Sequence, residues 1–151
     1  MKISRLELIR LERTVLPGEQ KQQRAFWDFC IDGISLYKEF ANARDLVSII
    51  WIDPPNPVEN RKGIKRLLMV ESADLPNNRT ALYVCPECGD LGCGAISIEI
   101  IFSENQVTWK SFGYENNYEN IVESDRYTSI GPFVFDRIAY ENLFRNLLIE
   151  Y

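Results

Sequence analysis

The chain contains no histidine. That absence removes Ser-His-Asp and Cys-His catalysis, histidine-bearing zinc sites and imidazole acid–base chemistry. It has no run approaching the roughly 18 apolar residues of a membrane-spanning helix. It has no internal repeat and no low-complexity tract. Gly89, Gly92 and Gly94 lack the strand–helix context of a dinucleotide fingerprint, and no glycine loop is followed by a phosphate-binding lysine. The N-terminal residues Met-Lys-Ile-Ser-Arg-Leu-Glu-Leu-Ile-Arg mix charge with apolarity and lack a signal-peptide core. A cytoplasmic, reducing location is therefore expected, with thiols free or metal-bound rather than joined in a secreted disulfide framework.

What is present fits one domain. The 151 residues are 46% hydrophobic and 12% aromatic, enough to bury a core. The net charge of −5 argues against nucleic acid as a partner, because phosphate backbones repel an acidic domain. The charge is uneven. Residues 1–24 carry Lys2, Arg5, Arg10, Arg13, Lys21 and Arg24, whereas Glu115, Glu119, Glu123 and Asp125 cluster around Tyr114, Asn117 and Tyr118. An acidic, aromatic segment suits a basic protein partner, so Tyr114, Glu115, Asn117, Tyr118, Glu119, Glu123 and Asp125 form the candidate partner-binding set. A lone charged cluster is also the ordinary mark of a solvated face, and no pattern pairs two of these carboxylates for catalysis.

Hydrophobic spacing predicts an α+β chain with a mainly antiparallel sheet and a packed C-terminal helix. Residues 3–12 read as a two-faced strand with a parity shift near Leu8–Ile9. Pro17-Gly18 marks a turn, and Phe26–Ile31 alternates as a second strand. Ser35 can cap a short helix over Leu36–Ala41. Val47–Ile52 is a β-branched run stopped by Asp53-Pro54-Pro55-Asn56-Pro57, where Asn56 and Pro57 look like a helix start that Gly63 then weakens. Thr80–Val84 and Ala95–Phe102 read as strands entering and leaving a cysteine loop. Glu104-Asn105 turns into a strand over Gln106–Phe112. Residues 113–130 read as a long loop. Asp136 is a helix cap, Phe135 and Tyr140 a hydrophobic staple, and Tyr140, Leu143, Phe144, Leu147 and Leu148 an apolar stripe.

Three of the four cysteines fall in Cys85-Pro86-Glu87-Cys88-Gly89-Asp90-Leu91-Gly92-Cys93. Structural zinc needs four ligands, and this stretch offers three thiolates; Cys30 could supply a fourth, Asp90 or Glu87 less comfortably. A redox thiol needs a helix N-terminus to lower its pKa, and the glycines favour turns instead. The competing structural role is a tight glycine loop whose small thiols pack as buried hydrophobes. The sequence favours that role, with no metal, cofactor or catalytic residue assigned.

The stretch from Leu82 to Ser97, followed by Trp109-Lys110-Ser111-Phe112-Gly113-Tyr114-Glu115-Asn116-Asn117-Tyr118 and Gly131-Pro132-Phe133-x-Phe135-Asp136, resembles small uncharacterised bacterial proteins that share this cysteine loop. Size and acidity resemble in kind the immunity proteins of contact-dependent growth inhibition systems. That resemblance implies a non-enzymatic cytoplasmic module that binds and neutralises a basic toxin domain. The alternative is a zinc-binding or thiol-redox protein centred on Cys85, Cys88 and Cys93.

Overall fold

The computed structural model describes residues 2–151. The fold is α+β, with two antiparallel sheets and a C-terminal helix packed against them. The first sheet joins β1 (Leu6–Glu12), β2 (Ala25–Ile31), β3 (Ile34–Ser35) and β5 (Trp51–Asp53), with β2 between β1 and β5. The second runs β4 (Val47–Ser48), β6 (Arg79–Val84), β7 (Ala95–Phe102), β8 (Gln106–Glu115), β9 (Phe133–Asp136) in spatial order.

The two sheets are linked on both sides, which the sequence reading did not foresee. Residues 47–53 serve both: Val47 and Ser48 pair with β6, and Trp51 and Asp53 pair with β2. Between them, Ile49 N–H donates to the Leu82 carbonyl (3.1 Å), and the Ile50 carbonyl accepts from Trp27 N–H (2.9 Å). A strand that changes sheets in this way makes a corner. On the other side, Ser4 forms a parallel bridge with Phe135 of β9. Backbone pairing thus returns to its starting segment around a shared interior. There Phe29 meets Tyr83 and Trp109 edge-on, with centroids 5.8 and 5.4 Å away.

Burial explains why some strands alternate and others do not. Every residue of β6 is buried, so its sequence reads as a continuous run. β1 is half-covered, and its ladder with β2 runs unbroken from Leu6↔Ile31 to Glu12↔Ala25. The covered positions change parity at Leu8–Ile9 as expected, from Leu6 and Leu8 to Ile9 and Leu11, but without a bulge in the ladder. Leu6, Leu8 and Leu11 all reach the core because both faces of this strand are partly sheltered.

The helices begin where their caps predict. Asn56 accepts from Glu59 N–H (3.4 Å) ahead of Pro57, and α1 spans Pro57–Leu67. Gly63 does not interrupt it: a Cβ there would sit 2.9 Å from Ile49 Cδ1, so the glycine lets α1 approach the corner strand. Asp136 accepts from Ala139 N–H (2.9 Å) to open α2 (Arg137–Ile149), and the Phe135 and Tyr140 rings stack at 5.8 Å as the staple requires. The Tyr140 hydroxyl accepts from Trp109 Nε1 (3.1 Å) and donates to the Leu67 carbonyl (2.7 Å), tying α2 to β8 and α1. The Ser35 region forms one wide helical turn over Tyr37–Ala41, with Ser35 Oγ accepting from Lys38 N–H (3.2 Å).

The reading of residues 113–130 as one loop is corrected. β8 continues to Glu115, pairing Gly113, Tyr114 and Glu115 with Ser97, Ile96 and Ala95 of β7. Ser111, at φ 57, adds one residue to β8 there, and that bulge breaks the two-residue period that would have revealed the strand. The chain then folds back: Tyr114 and Glu123 exchange two backbone hydrogen bonds of 2.8 and 2.9 Å. Among the described residues no helix is long and apolar enough to cross a membrane.

Candidate functional site: a three-thiol loop held by two arginines

The cysteine loop leaves β6 and returns into β7, as its flanking strands predict. Gly89 N–H donates to the Cys85 carbonyl (2.8 Å), closing the first turn. Asp90 Oδ1 accepts from Gly92 N–H (2.8 Å) and caps a three-residue 3-10 turn over Leu91–Cys93. Gly94, at φ 97, ends it, and a Cβ there would collide with the Tyr114 hydroxyl. The loop therefore lies directly against the acidic, aromatic segment.

This geometry brings the Sγ atoms of Cys85, Cys88 and Cys93 within 4.8 Å of one another, with Cys88 and Cys93 only 3.6 Å apart. Cys88 and Cys93 are exposed and Cys85 half-buried. The expectation of small buried thiols packing as hydrophobes is therefore corrected, because these sulfurs face one another and solvent. Cys30 is the buried cysteine. It sits on β2 opposite Ser35 and does not join the cluster.

The sulfurs are surrounded by donors. Asp90 N–H lies 3.4 Å from Cys88 Sγ. Burial opposes ionisation of Cys85, but N–H groups of Cys88 and Glu87 and the two neighbouring thiols outweigh it and bring its pKa below the ordinary value. Cys93 is pushed up to about 11 by its hydrogen bond to Cys88 and by the charge of its neighbours. Three thiols this close resist ionising together unless a cation joins them.

Two arginines hold the loop from beneath. Arg13 is buried and forks onto Asp45 (3.0 and 2.7 Å) while donating to Glu87 Oε1 (2.6 Å) and the Gln22 carbonyl (2.9 Å). Arg24, also buried, donates twice to the Pro86 carbonyl (3.1 and 2.8 Å) and lies 3.8 Å over the Trp51 ring. In the sequence both count only as positive charge. No sequence signal marks them: only the fold brings them side by side, Arg13 N–H bonding the Arg24 carbonyl (2.8 Å) just beyond the β1–β2 ladder. Two buried like charges side by side require an acceptor between them, and the cysteine loop supplies it.

The candidate partner-binding residues separate into two groups. Glu115 is 4% exposed; its Oε2 receives Arg79 Nε (2.7 Å) and the Ser97 hydroxyl, so it offers no surface to a partner. Glu123 receives Arg44 (3.0 Å), and Arg44 also lies 3.9 Å over the Tyr114 ring. Glu115 is an internal brace, and Glu123 is a half-exposed one, its side chain 42% accessible. Asn117, Tyr118, Glu119 and Asp125 remain exposed, with Tyr118 at 73%. The chain matches no family model, and no curated protein and no solved structure matches it.

Proposed function

We propose that this chain is a metal-binding protein in which Cys85, Cys88 and Cys93 hold one zinc ion as thiolates. The observation that carries this reading is the convergence of three sulfurs, two of them on exposed residues, in a loop fixed from beneath by Arg13 and Arg24. Tetrahedral zinc with Zn–S bonds of about 2.3 Å sets neighbouring sulfurs roughly 3.8 Å apart. The Cys88–Cys93 separation of 3.6 Å is close to that spacing. Backbone N–H groups aimed at the sulfurs stabilise thiolate charge. Adding one equivalent of zinc to metal-free protein should release protons and raise the melting temperature, since binding to the folded state alone adds to its stability. Cys88→Ser should lose both responses. Identical titrations of the two proteins would refute the reading.

A second reading has its own observation. Tyr118 and Ile121 are 73% and 68% exposed on the turn beside Glu119 and Asp125, an apolar pair ringed by carboxylates on an acidic protein. This supports the binding of a basic protein partner, such as the toxin domain neutralised by an immunity protein, with no enzymatic step. The turn adjoins the cysteine loop through Tyr114 and Asn117, so a metal there would stiffen the same surface. Charge reversal at Glu119 and Asp125 should slow association with a candidate toxin domain, most at low salt. Unchanged association rates would move the interface elsewhere.

A further inference from the structure

Three thiolates leave one position of a tetrahedral metal to be filled, and among the described residues no fourth donor converges on the cluster. The local carboxylates are engaged elsewhere, Glu87 with Arg13 (2.6 Å) and Asp90 Oδ1 with Gly92 N–H (2.8 Å). Cys30 is buried on β2. What does meet the cluster is a cleft. Cys88 and Leu91 form part of the wall of a cavity of about 320 Å³, with Trp51, Glu59, Arg66 and Asp74 among its other walls. That volume is at the small end of ligand pockets. Three protein ligands with an open position beside a cleft is the pattern of a metal that takes an outside ligand, whereas purely structural zinc is enclosed by four.

We propose that the fourth position is taken by a small thiol carrying one carboxylate, bound through sulfur to the metal and through the carboxylate to Arg66. This rests on the zinc reading above. Thiolate donors select metals that favour sulfur, so an incoming thiol competes there better than an oxygen ligand. The step is ligand exchange: the thiol proton passes to solvent, a metal–sulfur bond forms as a metal–water bond breaks, and no oxidation state changes. Arg66 is the cation lining the cleft. Its Nε is buried without a hydrogen-bond partner among the described residues, and its Nη1 is ion-paired with Asp74 at 3.6 Å, longer than a hydrogen bond. A guanidinium that is ion-paired at this length without a hydrogen bond keeps donors for a ligand carboxylate. Glu59 and Asp74 on the same walls disfavour a second anionic group.

Cobalt(II) in place of zinc reports both the metal and its fourth ligand. Cobalt added to metal-free protein should give sulfur-to-cobalt absorption and tetrahedral d–d bands. Mercaptoacetate should then shift those bands while the cobalt stays with the protein on desalting. 2-Mercaptoethanol, which lacks the carboxylate, should bind about tenfold more weakly, the low end of a charge-assisted hydrogen bond. Arg66→Gln should erase that preference and leave cobalt affinity unchanged. Absence of any sulfur-to-cobalt absorption would defeat the metal reading itself. Absorption with bands that mercaptoacetate does not move, or cobalt carried off by the thiol, would overturn the fourth-ligand proposal alone. Equal affinity for the two thiols would remove Arg66 from it.

Discussion

The cysteine loop and the segment from Tyr114 to Asp125 both look chemically loaded in the sequence, and both are braced by arginine. They differ in what the bracing leaves over. In the acidic segment, Arg79 and Arg44 engage the carboxylates of Glu115 and Glu123, so Glu115 is internal and Glu123, though half-exposed, is already paired. In the cysteine loop, Arg13 and Arg24 hold Glu87 and the Pro86 carbonyl, and the three sulfurs stay outside the bracing. A cluster of like charges in sequence therefore says little about surface charge until its counterions are placed. A cluster of thiols retained on an immobilised loop says more, because its sulfurs contact only their own loop and no counterion inside the protein.

The largest expected effect tests the internal half of that contrast. Glu115→Ala removes the buried carboxylate of Arg79, leaving only the half-exposed Glu99 at 3.8 Å, and should cost about 3 kcal/mol, read from the urea midpoint. A loss below about 0.5 kcal/mol, the usual range for surface positions, would return Glu115 to the surface set. Arg13→Met should cost less, about 1–2 kcal/mol, since Asp45 and Glu87 are part-exposed and can rehydrate. It carries a pH signature as well. Arg13 holds both carboxyls below their ordinary values, so their contribution is complete above the unfolded values near about 4 and is lost as pH falls through the depressed folded ones. The variant should therefore show a flatter acid limb than wild type. Cys88→Ser in metal-free protein should change stability by less than about 0.5 kcal/mol, because the sulfur is exposed. Smallest of all, Glu119→Lys should leave the melting temperature unmoved while slowing association with a basic partner.

Much of the scaffold was legible because local chemistry decided it. Asn56 with Pro57, Asp136 with the Phe135–Tyr140 pair, and the strands flanking the cysteines follow from capping rules and periodicity. What was not legible depended on partners distant in sequence. The end of β8 was hidden by a bulge at Ser111, and the helix through Gly63 owes its tolerance to Ile49. The convergence of the thiols depends on local turns that glycine spacing suggested, yet their exposure depends on what packs beneath them. Arg13 and Arg24 lie more than sixty residues from the loop they hold, and no local pattern joins them to it. The division of the carboxylates between Arg79, Arg44 and solvent has the same origin.

The central claim, that the three thiols form a metal site, is tested most directly by counting metal on the intact protein. Native mass spectrometry of protein purified without chelator should show one zinc per chain. Cys88→Ser should show none while keeping the same far-ultraviolet circular dichroism. A metal-free wild type that stays metal-free when zinc is supplied in equimolar amount would contradict the account and return the loop to a purely structural role.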